Sequence, residues 1–172
     1  MARALIGVGS NINPEENVLK ALGLLKRYAP IKAISTVYLS EADGRPDAPC
    51  FYNCVVAVES VASPDELKYR FLRSIEEAMG RRRESDKDAP RTVDLDLLLY
   101  DDVVISTVHL RLPDPEILRR PYIAWPVYEI APELVLPGLD ISIKEAAHAL
   151  PKDRMKPLPN YTEMLRSELL KG

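Results

Sequence analysis

Two aspartates in the segment APRTVDLDLLLY are the residues of this sequence best suited to chemistry. Asp94 and Asp96 are separated by one residue, so in an extended strand both carboxylates lie on one face, with Cβ atoms about 6.5 Å apart. The apolar residues of the segment are then predicted to take the opposite face: Val93, Leu95, Leu97 and Leu99. At an effective dielectric of about 20, two bare carboxylates at that distance repel each other by roughly 2.5 kcal/mol. Mg²⁺ relieves this repulsion, because proteins hold it with one or two carboxylates together with substrate phosphates. The alternative is an acidic pair on a solvated sheet face, which is a common arrangement.

A basic cluster lies directly before this pair. Five cationic residues occur within eleven positions: Arg81, Arg82, Arg83, Lys87 and Arg91. A polyphosphate bound to a metal ion would need such cations on its other side. The opposite interpretation is a charged loop neutralised by its own acids, Glu84, Asp86 and Asp88, and the residues alone leave both open. The sequence contains no Walker A pattern, so side chains, not a P-loop, would hold any phosphates.

The composition is typical of a single globular domain. A chain of 172 residues, 47% hydrophobic and 28% charged, can bury a sizeable core, and we expect one domain over residues 1–172 with a C-terminal extension, 151–172, of undetermined role. The net charge of −3 gives no global reason to expect nucleic acid or an anionic membrane as a partner. No apolar run approaches the ~20 residues of a membrane span or forms a signal peptide. We therefore expect a cytoplasmic protein, and a monomer.

Hydrophobic periodicity and turn residues predict the order β-α-β-β-α-β. The predicted strands are residues 2–8, 33–40, 51–60, 92–100 and 103–106. The predicted helices begin after the N-caps Asn13 and Ser63, and Gly80 ends the second one. This order predicts an α+β, ferredoxin-like sandwich with a mainly antiparallel sheet, extended by an extra hairpin that turns at Asp101 and Asp102.

The two cysteines are predicted to be reduced thiols. Cys50 and Cys54 lie four residues apart, which along one strand separates them by roughly 13 Å, too far for a disulfide. We expect both to pack near the core.

Several motifs follow one another in unbroken order between about residue 4 and residue 137: IGVGSN, FYN, IEEAMGR, PRTVDLDLLLY and RRPYIAWPVYEIAPEL. On these motifs the chain resembles the hydroxymethyl-dihydropterin pyrophosphokinases of folate biosynthesis. The resemblance implies a transferase that uses ATP and two Mg²⁺ ions to move the β,γ-diphosphate onto the hydroxymethyl group of a reduced pterin, releasing AMP. Small molecules are then its partners, with neither nucleic acid nor membrane.

The same resemblance assigns roles to individual residues. The metal pair is Asp94 and Asp96, and the catalytic residues are Arg81, Arg91 and Asp96. The pterin side consists of Gly44, Phe51, Asn53, Tyr122 and Asp94. The ATP side consists of Arg73, Glu76, Arg81, Arg83, Arg91, Leu97 and Arg120. Two alternatives stay open: Arg91 forms a salt bridge to Asp94, or Glu76 forms a helical pair with Arg73.

Departures from the family pattern limit what is carried over. Asp88 stands where an aromatic residue usually covers the pterin, Asp114 stands where a histidine is common, and Asp43 replaces an apolar wall residue. An anion at Asp114 weakens ATP binding unless a cation lies nearby. A second hypothesis is therefore a relative that binds nucleotide or pterin but has lost catalysis. A nuclease or RNA-binding domain is disfavoured by the net acidic charge and by the lack of a strand rich in exposed aromatics.

Overall fold

The computed structural model describes residues 1–41, 47–80 and 92–170. Its strands are β1 Ala2–Ser10, β2 Ile31–Ile34, β3 Tyr38–Ser40, β4 Phe51–Ser60, β5 Asp94–Tyr100, β6 Ile105–Ser106, β7 Arg111–Leu112, β8 Val135–Leu136, β9 Ile141–Ser142 and β10 Lys156–Pro157. Its helices are α1 Pro14–Tyr28, α2 Pro64–Glu66, α3 Arg73–Ala78, α4 Pro121–Ile130, α5 Ile143–His148 and α6 Pro159–Leu169, with a π-helical turn at Leu67–Leu72 and a 3-10 helix at Pro115–Leu118. None of the helices in the described ranges combines the length and apolarity needed to cross a bilayer.

One antiparallel sheet forms the centre of the fold. Its strand order is β10-β3-β4-β1-β5, and β2 pairs with β4. Within it, β5-β1-β4-β2 is the antiparallel order of a ferredoxin-like sandwich. The predicted α+β class with a mainly antiparallel sheet is therefore confirmed, while a single domain over residues 1–172 stays a prediction.

A separate apolar core lies on each side of the sheet. Alternate residues of β1 and β4 point to opposite sides, as the period of two requires. One core contains Ile6 and Val56 with side chains of α1, the π-helical turn, α3 and α6. The other contains Leu5 and Val55 with side chains of α4 and α5. The central strands are thus buried on both faces.

A β-bulge in β5 changes which residues share a face. Ile6 pairs with Leu97 and Leu5 pairs with Leu99, so Leu98 is an extra residue opposite β1. Leu95 and Leu97 belong to the core with α1, whereas Leu98 and Leu99 belong to the core with α4. The expectation that Leu99 continues the face of Leu97 is wrong, because an extra residue in a strand shifts the alternation by one.

The prediction that residues 103–106 form a hairpin with β5 is wrong. Ile105–Ser106 pairs with Arg111–Leu112 in a small sheet of its own, and the main sheet is extended instead at its other edge by β3 and β10. The predicted strand 33–40 is also interrupted, since its two halves are β2 and β3, with residues 35–37 between them.

The predicted helix ends are partly confirmed. The Ser63 hydroxyl accepts a hydrogen bond from the Glu66 amide at 3.2 Å, and Gly80 has φ of 86° directly after the helix that ends at Ala78. Asn13 does precede α1, but its φ is 38° and its side chain does not cap the helix. The side-chain Nδ2 of Asn17 instead donates to the Ile12 carbonyl at 2.6 Å.

The cysteines differ from each other. Cys54 is buried at 2% exposure, and burial raises the pKa of its thiol to about 12. Cys50 is exposed, so the expectation that both thiols pack near the core is wrong for Cys50.

Candidate active site

The aspartate pair lies on one face of β5, as predicted. Asp94 is half-buried and Asp96 is exposed, while Val93, Leu95 and Leu97 between and beside them are buried on the opposite face. Apolar contacts on the opposite face therefore hold the strand, and both carboxylates remain accessible at its start.

The neighbouring strand presents glycines to these carboxylates. Asp94 pairs with Gly9 and Asp96 pairs with Gly7, and Gly9 in turn pairs with Asn53 of β4. A Cβ atom on Gly9 would lie 2.9 Å from Asn53 Oδ1, which is closer than nonbonded atoms approach. Gly9 of the IGVGSN motif thus lets the Asn53 side chain lie against β1, on the side of Gly9 opposite Asp94. This glycine was visible in the sequence but was not used to predict the site.

An amide and an aromatic ring lie on that side of Gly9. Phe51 and Asn53 are two residues apart in β4 and share a face, as predicted: both approach the same position above Gly9. Asn53 is buried, and its Nδ2 donates to the hydroxyl of Ser40 in β3. This bond orients the amide and leaves its oxygen and its second N–H for a ligand. Ser40 was missed from the sequence, because only the register of β3 brings it there.

Tyr122 and Arg120 meet at the start of α4. Arg120 Nη1 donates to the Tyr122 hydroxyl at 2.8 Å, and its Nε donates to Glu116. The pKa of Tyr122 is raised, first by burial; Arg120 acts in the opposite direction, and the charges of Glu116 and Asp96 add to the rise. Asp96 is therefore within electrostatic reach of Tyr122 at the start of α4.

Glu76 contacts the strand that carries the aspartates. Its side chain is 8% exposed, and its Oε2 accepts a hydrogen bond at 2.9 Å from the amide of Leu95, the residue between Asp94 and Asp96. The guanidinium of Arg73 lies over the ring of Tyr69 at 4.8 Å. Glu76 thus fixes the backbone between the two carboxylates.

The remaining predicted residues divide into two groups. The side chain of Leu97 is 3% exposed in the core with α1, so a contact with nucleotide would have to come from its backbone. The other group lies outside the described residues: Gly44, Arg81, Arg83 and Arg91, together with the departures Asp43 and Asp88.

Asp114 has a structural role and nearby cations. Its carboxylate accepts from the Glu116 amide at 2.9 Å and caps the 3-10 helix. Burial raises the pKa of Asp114, while the positive charges of Lys68 and Arg111 act in the opposite direction. Cations therefore do lie near the anion that replaces the family histidine.

The oxygen ligands of the acidic pair suit Mg²⁺. In the described ranges no group of three or more His, Cys, Asp or Glu side chains gathers into a metal site. Two carboxylates, completed by water and substrate phosphates, are nevertheless the usual protein contribution to a magnesium site. Magnesium held by carboxylates is used by enzymes that transfer phosphoryl groups.

Comparisons with known proteins identify the family. The profile of 7,8-dihydro-6-hydroxymethylpterin-pyrophosphokinase matches residues 5–132. A 2-amino-4-hydroxy-6-hydroxymethyldihydropteridine pyrophosphokinase of Aquifex aeolicus is 35% identical over 158 residues, covering 91% of this chain and 96% of that protein. The Pseudomonas aeruginosa enzyme of that name is 31% identical and covers 91% of this chain and 97% of its own length. The chain belongs to this family of pyrophosphokinases, which are transferases.

Longer relatives carry the same unit as one part. The folic acid synthesis protein FOL1 of Dictyostelium discoideum is 30% identical, and the match covers 85% of this chain but 22% of that protein. Among solved structures, an HPPK-DHPS of Plasmodium falciparum superposes with a TM-score of 0.69 at 15% identity, covering 86% of this chain and 43% of that one. This likeness confirms the fold.

Replacing Gly9 tests the close approach of β1 to Asn53. Gly9→Ala forces the Asn53 side chain away from Ser40, and we expect unfolding to become easier by about 1–3 kcal/mol, measured by urea denaturation. The matched control is Gly23→Ala in α1, where the added methyl group meets open space and should stabilise the helix by about 0.5–1 kcal/mol. Equal stability of the Gly9 variant and the wild type would contradict the geometry.

Two substitutions of Glu76 separate its hydrogen bond from its charge. Glu76→Ala leaves the buried Leu95 amide without this acceptor, and we expect a loss of about 1–3 kcal/mol in the free energy of unfolding. Glu76→Gln keeps an acceptor oxygen and should lose much less in the same denaturation experiment. A glutamine variant as unstable as the alanine variant would show that the charge, not the bond to Leu95, matters.

The raised pKa of Asp114 predicts a pH-dependent stability. Protonation of Asp114 favours the folded state, so this stabilisation is complete below the ordinary value of 3.8 and is lost as the pH rises through the raised pKa. Asp114→Asn retains the cap without the charge. We therefore expect it to raise Tm at pH about 7 and to have no effect at pH about 3. A Tm difference that is the same at both pH values would refute this.

Proposed function

We propose that this chain is a 2-amino-4-hydroxy-6-hydroxymethyldihydropteridine diphosphokinase, which transfers the diphosphate of ATP to the hydroxymethyl group of a reduced pterin and releases AMP in folate biosynthesis. The observation that carries the proposal is the position of Asp94 and Asp96 on the same open face of the sheet as Asn53 and Phe51. The aspartate pair, which would bind magnesium and the phosphates of ATP, thus lies on the same face as the side chains that would bind a flat heterocycle.

Asp94 and Asp96 would hold the magnesium, and we propose two ions. When bound, Mg²⁺ neutralises the charge of the transferring phosphates and orients them. The fold contributes rigidity: the apolar face of β5 and the bond from Glu76 to Leu95 fix the strand. The carboxylates therefore need little rearrangement when ATP binds.

The pterin would lie over Gly9. Phe51 and Tyr122 provide rings for stacking, and the Asn53 amide offers an acceptor and a donor to the edge of the heterocycle. Asp94 borders this slot from β5, and Gly44, which lies outside the described residues, is also proposed to contact the pterin. The substrate hydroxymethyl group would then point toward the aspartate pair.

The nucleotide would be held on the other side of the pair by Arg73, Glu76, Arg81, Arg83, Arg91, Leu97 and Arg120. Among these, Arg81 and Arg91 are proposed to stabilise the charge that develops on the transferring oxygens. The guanidinium of Arg120 is oriented in advance by Glu116 and Tyr122, which reduces the entropy lost when it binds a phosphate. We also propose that the protein acts as a monomer in the cytoplasm.

Removing one carboxylate tests the proposal. Asp96 is exposed, so Asp96→Asn should preserve the fold and lower turnover by about 10²- to 10³-fold or more. The assay combines protein, Mg²⁺, ATP and 6-hydroxymethyl-7,8-dihydropterin, and follows AMP by chromatography. The matched control is Asp102→Asn, which removes an exposed carboxylate from the turn after β5 and should leave turnover unchanged.

The other outcomes distinguish between the functions. ADP in place of AMP would indicate an ordinary kinase. Saturable ATP binding by the wild type without turnover would favour the relative that has lost catalysis. An Asp96→Asn variant that fails to fold, judged by its thermal transition, would assign that carboxylate to stability.

A further inference from the structure

The C-terminal segment, defined as residues 156–170, completes the sheet edge on the Asn53 side of the site. β10 pairs with β3 through Lys156 with Leu39 and Pro157 with Tyr38. The helix α6 that follows buries Leu165 and Leu169 in the core with α1. This segment lies beyond the residues 5–132 that the family profile matches.

The C-terminal segment also satisfies the backbone where the sheet is interrupted. Val37 lies in the break before β3, and its amide donates to the Thr162 hydroxyl at 2.9 Å. Its carbonyl accepts from the Leu158 amide at 2.8 Å. Thr162 is 2% exposed, and its hydroxyl donates in turn to the Leu158 carbonyl at 2.8 Å. Both polar groups of Val37 therefore depend on this segment.

A second contact holds the beginning of the break. Arg166 of α6 donates from Nε to the Ile34 carbonyl at 2.9 Å, and its Nη2 forms an ion pair with Glu129 at 3.1 Å. Glu129 accepts from the amide and hydroxyl of Thr36, each at 3.0 Å. The path of the chain into β3 is thus fixed by α6 and the end of α4 together.

The position of β3 determines the orientation of Asn53. β3 has three residues, and a strand of that length is not stable without neighbours on the sheet. Its last residue, Ser40, is the hydrogen-bond partner of the Asn53 amide. A displacement of β3 would therefore turn the group proposed to contact the pterin, while the aspartates of β5 at the far edge of the sheet would stay in place.

We propose that the C-terminal segment is a positioning element for the pterin side of the site, acting through Thr162, β3 and Ser40 on Asn53. The proposal rests on the proposed function, because it takes Asn53 as a pterin contact. It predicts a selective effect: loosening the segment weakens binding of the pterin and leaves ATP binding unchanged.

The test removes one hydroxyl from the full-length protein. Thr162→Val preserves shape and apolarity but deprives the Val37 amide of its acceptor. We expect the KM for 6-hydroxymethyl-7,8-dihydropterin to rise about tenfold, the effect of roughly one lost hydrogen bond, with kcat and the KM for ATP nearly unchanged. Amides of residues 36–41 should exchange with deuterium faster. Thr162→Ser restores the hydroxyl and should restore both values.

The control removes a different hydroxyl from the same helix. Tyr161 donates to the Glu15 carbonyl at 2.8 Å and does not contact β3 through that group, so Tyr161→Phe should leave the KM for the pterin unchanged. An equal rise for ATP and pterin in Thr162→Val, an unchanged pterin KM, or an unchanged exchange rate at 36–41 would each overturn the inference.

The same measurements keep the two proposals apart. A wild type that binds ATP and Mg²⁺ but neither binds nor converts the pterin overturns the proposed function, and with it the assignment of Asn53 to a pterin. A wild type that converts the pterin, together with a Thr162→Val variant identical to it, overturns only the positioning role of the C-terminal segment.

Discussion

The repulsion between Asp94 and Asp96 is the interaction on which the rest of this protein is organised. Two carboxylates on one strand face repel each other unless they separate or bind a cation, and the packing of β5 holds both in place. The alternating leucines of β5 are buried on the opposite side, and Glu76 fixes the intervening amide. Burial of apolar side chains therefore holds two acidic side chains on the same face of one strand.

The neighbouring strands shape the site in two ways: β1 has glycine there instead of a larger residue, and β4 and β3 supply polar side chains. Gly9 leaves a gap between Asp94 and Asn53, which lets the Asn53 amide approach β1. On the far side of this gap, Asn53 is held by Ser40. The site thus extends over β5, β1, β4 and β3, and each strand contributes through the register of its pairing.

Much of this arrangement could be predicted from the sequence, for physical reasons. The alternation in TVDLDLLLY and FYNCVVAVES places Asp94 with Asp96 and Phe51 with Asn53, because the strand period is fixed. The α+β class followed from the order of the patterns. The bulge at Leu98, the separate pairing of Ile105–Ser106 and the interruption at 35–37 could not be predicted, since each depends on tertiary contacts. Ser40 and the bond from Glu76 to Leu95 were missed for the same reason: they join residues distant in sequence whose types carry no specific signal.

The interruption of the sheet between β2 and β3 has a mechanical consequence. A continuous sheet would separate the two helical layers, but here Arg166 of one layer pairs with Glu129 of the other. Glu129 belongs to α4, the helix whose first turn contains Tyr122. A tilt of α4 as its first turn contacts a ligand would therefore pull on α6.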